Sequence, residues 1–253
     1  MDYKKVITDP YMKELMDMGV SFSNFSAIRH PSYPNYLAMV GGETFGVTSD
    51  KQITIHDRCI ADLLEAKGLT WKNYAENYPG NCFLKKKHGK LYRRKHVPFL
   101  SFRSIQKNPK RCANVVPADQ FYIDALNNQL PNYSFISPNM ENDGHDTNLT
   151  YASGFLQYFL PPILSNPAIM NGTLIEITYD ESKRKKDEKN KIFTILLGPM
   201  VKKGLVIDTH YNHYNMLREV ERNFQIGSLN KKDRSASLIK EDWFIVEPST
   251  HIF

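Results

Sequence analysis

An α/β fold, with a parallel or mixed sheet covered by helices on both faces, is what this sequence predicts. Three observations carry that reading. Short strand-like runs alternate with amphipathic helical stretches along most of the chain, turn residues punctuate them, and the residues with chemistry to offer fall just after predicted strands. In such sheets ligands bind at the carboxyl ends of the strands. At 253 residues the chain accommodates one large domain without requiring a second core.

The elements follow in order. Asp9-Pro10 reads as N-cap and first helical residue, opening a helix over 11–18 that Gly19 stops. Residues 20–28 alternate well enough for one strand, and the turn from His30 to Asn35 leads to a helix over 34–40 ended by Gly41-Gly42. A helix over 60–67 with Gly68 as its cap precedes a strand over 69–74. From about 77 to 117 Lys, Pro and Asn dominate, predicting a long irregular insertion rather than core. Regular alternation then resumes, with helices over 119–128, 151–164 and 212–224 and strands over 133–137, 174–178 and 192–197.

Composition excludes several classes. Apolar runs such as Thr194-Ile195-Leu196-Leu197 stop far short of a membrane span, and no solenoid-length repeat is visible. The net charge of +6 is local, concentrated in Lys85-Lys86-Lys87, Arg93-Arg94-Lys95 and Lys183-Arg184-Lys185-Lys186. Such runs are solvated loops by default; the alternative is a patch that attracts anionic substrates or makes peripheral contact with a membrane. No stacking aromatic array or zinc-finger spacing accompanies the charge, which argues against nucleic acid. The three cysteines include no Cys-x-x-Cys pair.

Candidate site residues fall at strand ends. Ser32 precedes a Pro-initiated helix, where unpaired backbone N–H groups favour an anion; its alternative is an ordinary N-cap serine. Asn35, one turn on, either reaches the same anion or stabilises the turn. Asp180-Glu181 follow the strand over 174–178, and adjacent carboxylates repel unless a hard cation lies between them; an exposed loop is the other reading. His145, flanked by Asp143 and Asp146, suits a metal ligand, phosphate contact or proton donor, or is a plain loop histidine. His210 and His213, three apart before a helix, fit a shared metal or a capping turn. His96 has no local signal.

Taken together, these segments resemble the phosphoesterase family that contains bacterial phospholipases C and bacterial and fungal acid phosphatases, within the alkaline phosphatase superfamily. The matching stretches are His30-Pro31-Ser32-Tyr33-Pro34-Asn35-Tyr36, Gly68-Leu69-Thr70-Trp71 through Glu76, Arg94-Lys95-His96-Val97-Pro98-Phe99, Pro138 through Asp146, Thr178-Tyr179-Asp180-Glu181 and Tyr211-Asn212-His213-Tyr214. The resemblance implies a three-layer α/β/α fold with a mostly parallel central sheet, and hydrolysis of phosphate esters. By motif, Ser32 is the nucleophile and a metal contact, Asp180 and Glu181 hold a divalent ion of unknown identity, His145 and His96 are catalytic contacts to phosphate or leaving group, and Asn35 and His213 lie with the substrate. It further implies a phosphoseryl intermediate; the alternative is a paralogue or fragment that binds phosphorylated ligands without turnover.

Two further expectations complete the reading. The family's opening strand, ending in Glu-Asn, is expected to be missing ahead of Asp2, leaving an acid opposite Asp180-Glu181 unsupplied. Sequons at Asn24, Asn132, Asn148 and Asn171 and the resemblance predict a secreted full-length form, although no signal peptide opens the chain. Cys82 and Cys112 bracket the basic insertion and could pair, leaving Cys59 without a partner.

Overall fold

Helix boundaries in the computed structural model, which describes residues 1–183 and 189–245, follow local capping chemistry. Asp9 Oδ1 accepts from the backbone N–H groups of Tyr11 and Met12 at 3.1 Å each, and Pro10 opens helix α1 (Pro10–Met18). Helix α2 (Ser32–Gly41) begins two residues before the predicted start and ends at Gly42, whose φ of 74° suits glycine. A Cβ there would also meet Asp233 Oδ1 at 2.6 Å. Helices α3 (Ile60–Ala66), α4 (Gln120–Leu126) and α5 (Leu149–Phe159) follow, and the predicted helix through 164 breaks at Pro161. Asn212 caps α6 (His213–Phe224) by accepting from Tyr214 N–H at 2.9 Å.

The predicted strand over 20–28 is two strands, β1 (Val20–Phe22) and β2 (Phe25–Ser26). Ser23 and Asn24 separate them because both side chains turn to residue 208, Ser23 Oγ donating to Asp208 Oδ1 at 2.6 Å and Asn24 Nδ2 to its carbonyl at 3.1 Å. Then come β3 (Trp71–Ala75), β4 (Lys87–His88), β5 (Tyr92–Arg93), β6 (Val115–Pro117), β7 (Tyr133–Ser137), β8 (Ile175–Thr178), β9 (Thr194–Leu197), β10 (Leu205–Ile207) and β11 (Tyr211–Asn212). One sheet runs β10-β1-β9-β8, with β1 parallel to β10 and β9 antiparallel to both its neighbours. A second, β6-β3-β7, is parallel throughout, and β2 pairs in parallel with β11. The architecture is the expected mixed α/β arrangement with parallel sheets, its strands divided between these units.

The insertion from about 77 to 117 departs from expectation. Tyr92, Val97, Phe99, Leu100, Phe102, Ile105 and Val115 are buried in one cluster with Leu37, Ile60, Leu64 and Trp71. Burying a side chain of this kind stabilises by about 1.5–3 kcal/mol, which draws the segment inward despite its lysines. Its tip remains solvated, carrying Lys85-Lys86-Lys87 on the β4–β5 hairpin. The basic run Lys183 to Lys186 lies largely outside the described residues. Cys82 and Cys112 form a disulfide with Cα atoms 5.6 Å apart, and Cys59 is free and buried, as the sequence suggested.

Two outcomes follow. Replacing both Cys82 and Cys112 by Ser lowers unfolding stability by about 3.6 kcal/mol, the loop entropy released by a 30-residue separation; a denaturant titration measures it. Glu221 is buried, and burial, then neighbouring Asp233, pushes its carboxyl up from 4.5 to about 8. The folded chain therefore keeps a proton that the unfolded chain releases, so this contribution is full below the unfolded value of 4.5 and is lost as pH rises through about 8. The melting temperature falls across that window, and Glu221→Gln falls less.

Candidate active site

The turn after β2 and the loop after β8 meet. Ser32 is the first residue of α2, with Pro31 in the capping position, so its hydroxyl does not cap the helix. Instead Ser32 Oγ donates to Glu181 Oε1 at 2.8 Å. The other oxygen of the same carboxylate, Oε2, takes His30 Nδ1. A serine, a carboxylate and an imidazole are thereby joined across 149 residues of sequence. Ser32 is only 3 % exposed, and the ring of His30 is held with Nε2 enclosed and unpartnered. The start of α2 also presents the positive end of a helix dipole to this point.

Asn35 is buried, and its amide is committed to the turn. Oδ1 accepts from Ile28 N–H at 2.9 Å and Arg29 N–H at 3.1 Å, and Nδ2 donates to the carbonyls of Arg29 and Pro31 at 2.7 and 3.2 Å. Of its two sequence readings, this geometry is the turn-stabilising one. His213, also buried, places Nε2 3.1 Å from the Asp180 carbonyl, behind the acidic pair, and packs edge-on against Phe25. Burial lowers its pKa to about 4, so the ring is neutral and donates that hydrogen bond. His210 is exposed and lies on a separate cleft.

The loop after β7 brings in a second group. His96 comes from the insertion, stacked on Tyr36 with ring centroids 4.9 Å apart, and its Nδ1 lies 3.4 Å from Asp143 Oδ2. Burial drives His96 down to about 4, leaving the ring neutral. Asp143 moves the opposite way: burial, reinforced by the negative charge of Asp180, raises it to about 7. A carboxyl poised to hold a proton thus sits beside a neutral imidazole. His145 is exposed; its N–H donates to Asp143 Oδ1 at 2.7 Å and its Nδ1 meets Asp146 Oδ1 at 2.7 Å. It lines a cavity of about 280 Å³ with Asp50, Lys86, Arg93, Lys95 and Asp146.

Ser32, Asp180, Glu181, His213, His96 and Asp143 therefore belong to one neighbourhood at the carboxyl ends of β2, β7 and β8, with His145 at its rim. From sequence His30 stood only within the Ser32 motif and Asp143 only as an acid flanking His145, neither with a role of its own. His30 carried a usable signal, an imidazole two residues before the nucleophile candidate. Nothing in sequence set Asp143 apart from Asp146, because its proton affinity comes from burial, reinforced by the charge of Asp180.

The implied divalent ion can be tested against this donor set. Two carboxylates and a hydroxyl offer oxygen ligands of the kind hard cations prefer. Their number is short: among the described residues no three His, Cys, Asp or Glu side chains converge as a metal group. The residues fit such an ion in kind without forming a closed cage.

The chain is 37 % identical to a protein of Kluyveromyces lactis named probable acid phosphatase, over 99 % of this chain and 61 % of that protein. It is 38 % identical to an acid phosphatase of Aspergillus fumigatus, over 95 % of this chain and 56 % of that protein. The chain thus spans little more than half the length of these relatives. In structure it resembles a protein in the alkaline phosphatase superfamily from Vibrio parahaemolyticus, with a TM-score of 0.62 and 14 % identity, over 92 % of this chain and 65 % of the other, a likeness of fold. The Phosphoesterase family model matches residues 1–227, and the chain belongs to that family.

Proposed function

We propose that this chain carries a phosphate-ester hydrolase site in which Ser32 is the nucleophile. The observation that supports it most is the hydrogen bond from Ser32 Oγ to Glu181 Oε1 at 2.8 Å, which takes the serine away from helix capping and joins it to an acid. Ser32 Oγ attacks phosphorus, the bond from phosphorus to the ester oxygen breaks, and a phosphoseryl group forms. Glu181 orients the hydroxyl and is placed to take its proton, while His30 holds Glu181 from the far side. The leaving oxygen takes a proton from Asp143; water then attacks phosphorus and returns a proton to Asp143, the bond to Ser32 Oγ breaks as Oγ recovers its proton from Glu181, and phosphate departs. His145 and His96 are the contacts proposed for the phosphate and leaving group, with Asn35 shaping the turn and His213 steadying Asp180.

Asp143 is the proton donor that burial favours. Its carboxyl is protonated below about pH 7, where Asp and Glu in water are ionised. A divalent ion held by Ser32, Asp180 and Glu181 would supply Lewis-acid stabilisation of the developing charge. Substrates are phosphate esters of small molecules or of a phospholipid headgroup, and the β4–β5 lysines suit contact with an anionic membrane. The disulfide and the exposed sequon residues Asn132, Asn148 and Asn171 support an extracellular setting. Among the described residues no helix is long and apolar enough to cross a membrane.

Assayed with p-nitrophenyl phosphate and added divalent ions, the protein shows turnover that EDTA removes, and Ser32→Ala lowers kcat by about 10³-fold or more. Turnover surviving Ser32→Ala refutes the nucleophile; absence of turnover with every ion favours a binding protein for phosphorylated ligands. The profile of kcat/KM against pH turns downward above about 7 as Asp143 loses its proton, and Asp143→Asn removes that break while lowering the acid-side rate.

A further inference from the structure

A second cleft opens on the other side of His30. It has a volume of about 660 Å³ and is lined by the segment from Ser26 to His30, by Lys189, Asn190 and Lys191, and by His210. That volume lies in the range of small-molecule sites. Among the described residues its lining contains no aspartate, glutamate, tyrosine, tryptophan or phenylalanine. Arg29 and His210 are exposed and Lys191 is half-buried, and no ion pair occupies these three side chains among the described residues. The floor adds unmet polar groups. Asn190 is 6 % exposed, its Oδ1 accepts from Ser182 N–H at 2.8 Å, and its Nδ2 has no partner. His30 Nε2 is likewise unpartnered while Nδ1 is engaged by Glu181.

Unpartnered buried donors cost free energy unless a ligand or water meets them. The Asn190 donor beneath the Arg29 and Lys191 side chains, with His210 beside them, makes a receptor for an anion with several acceptor oxygens. The position relative to the nucleophile gives that anion its meaning. His30 belongs to both spaces: one ring nitrogen holds the carboxylate that engages Ser32, and the ring itself forms part of the cleft wall. A substrate with its reacting phosphate at Ser32 would extend its remainder past His30 into the cleft. The missing aromatic platform disfavours stacked nucleobases, and a concave site disfavours a flat membrane.

We infer that the cleft bounded by Arg29, Asn190, Lys191 and His210 binds a second phosphate on the substrate, making bisphosphorylated polyols preferred over esters with uncharged leaving groups. The inference rests on the proposed hydrolase reading for its direction, since the cleft is assigned to the leaving-group side of Ser32. Arg29 is the principal anchor, because its planar fork can engage two phosphate oxygens together. Lys191 adds charge, His210 a ring nitrogen at the rim, and Asn190 Nδ2 a directional donor.

The test compares fructose 1,6-bisphosphate with p-nitrophenyl phosphate as substrates of the full chain and of Arg29→Gln, Lys191→Gln and, as a charge-matched control on α1, Lys13→Gln. For the first two variants kcat/KM on the bisphosphate falls about tenfold, carried by KM, as expected for a lost charged hydrogen bond. On p-nitrophenyl phosphate they change by less than about twofold, inhibition by inorganic phosphate is unaltered, and the control matches the parent on both substrates. Equal losses on the two substrates, or no loss on either, overturn the subsite. If the parent hydrolyses neither ester, the hydrolase reading fails, and calorimetric binding of the bisphosphate decides the cleft separately. Binding weakened about tenfold by Arg29→Gln and unaffected by Lys13→Gln sustains the anion site; absent binding, or binding indifferent to Arg29, overturns it. Unchanged melting temperatures of the variants confirm that folding is intact.

Discussion

The carboxylate of Glu181 is the contact on which the site depends. It receives Ser32 on one oxygen and His30 on the other, joining the loop after β8 to the turn before α2. Neither loop would hold this geometry alone. The turn is braced by Asn35, which spends both ends of its amide on the backbone from Ile28 to Pro31. The loop after β8 is braced by Asn190, which accepts from Ser182, and by His213 beneath the Asp180 carbonyl. Remote strands reach the same point because the pairing of β8 with β9, of β9 with β1 and of β2 with β11 brings their ends together.

Electrostatics at this point are arranged by burial rather than by opposite charge alone. Asp143 lies close enough to Asp180 for that charge to raise its pKa, after burial has done most of the work. Two buried histidines, His96 and His213, are driven the other way and stay neutral. Desolvation penalises whichever form is charged, so an acid gains a proton and a base loses one in the same surroundings. The result is a neutral imidazole facing a carboxyl that keeps its proton near neutrality, a pairing suited to proton transfer. The cationic cleft beyond His30 adds the opposite polarity on the far side.

Local chemistry made much of the fold legible. Asp9-Pro10 and Gly19 bound α1, Gly42 ends α2, and Asn212 opens α6, each through a capping interaction contained within a few residues. The strands over 133–137 and 174–178 were also visible in their β-rich runs. Less legible was the insertion, where lysine leads the count while Phe99, Leu100 and Phe102 carry the burial. The split between β1 and β2 escaped because its cause, the bonds from Ser23 and Asn24 to residue 208, lies some 184 residues away. Short β10 and β11 escaped for a similar reason: two or three residues of pairing leave no period to read.

The candidate site divides along the same line. Sequence by itself determined the identity of the groups: a serine at a helix start, an acidic pair after a strand, histidines in set motifs, and membership of a phosphoesterase family. It determined also that Cys82 and Cys112 could pair. Only the tertiary structure decided what those groups do to one another. Ser32 serves Glu181 rather than the helix cap, Asn35 serves the turn, and Asp143 acquires its proton affinity from burial beside a distant acid. The physical reason is that caps and periodicity are properties of neighbours in the chain, whereas desolvation and charge coupling depend on which loops the sheets bring together.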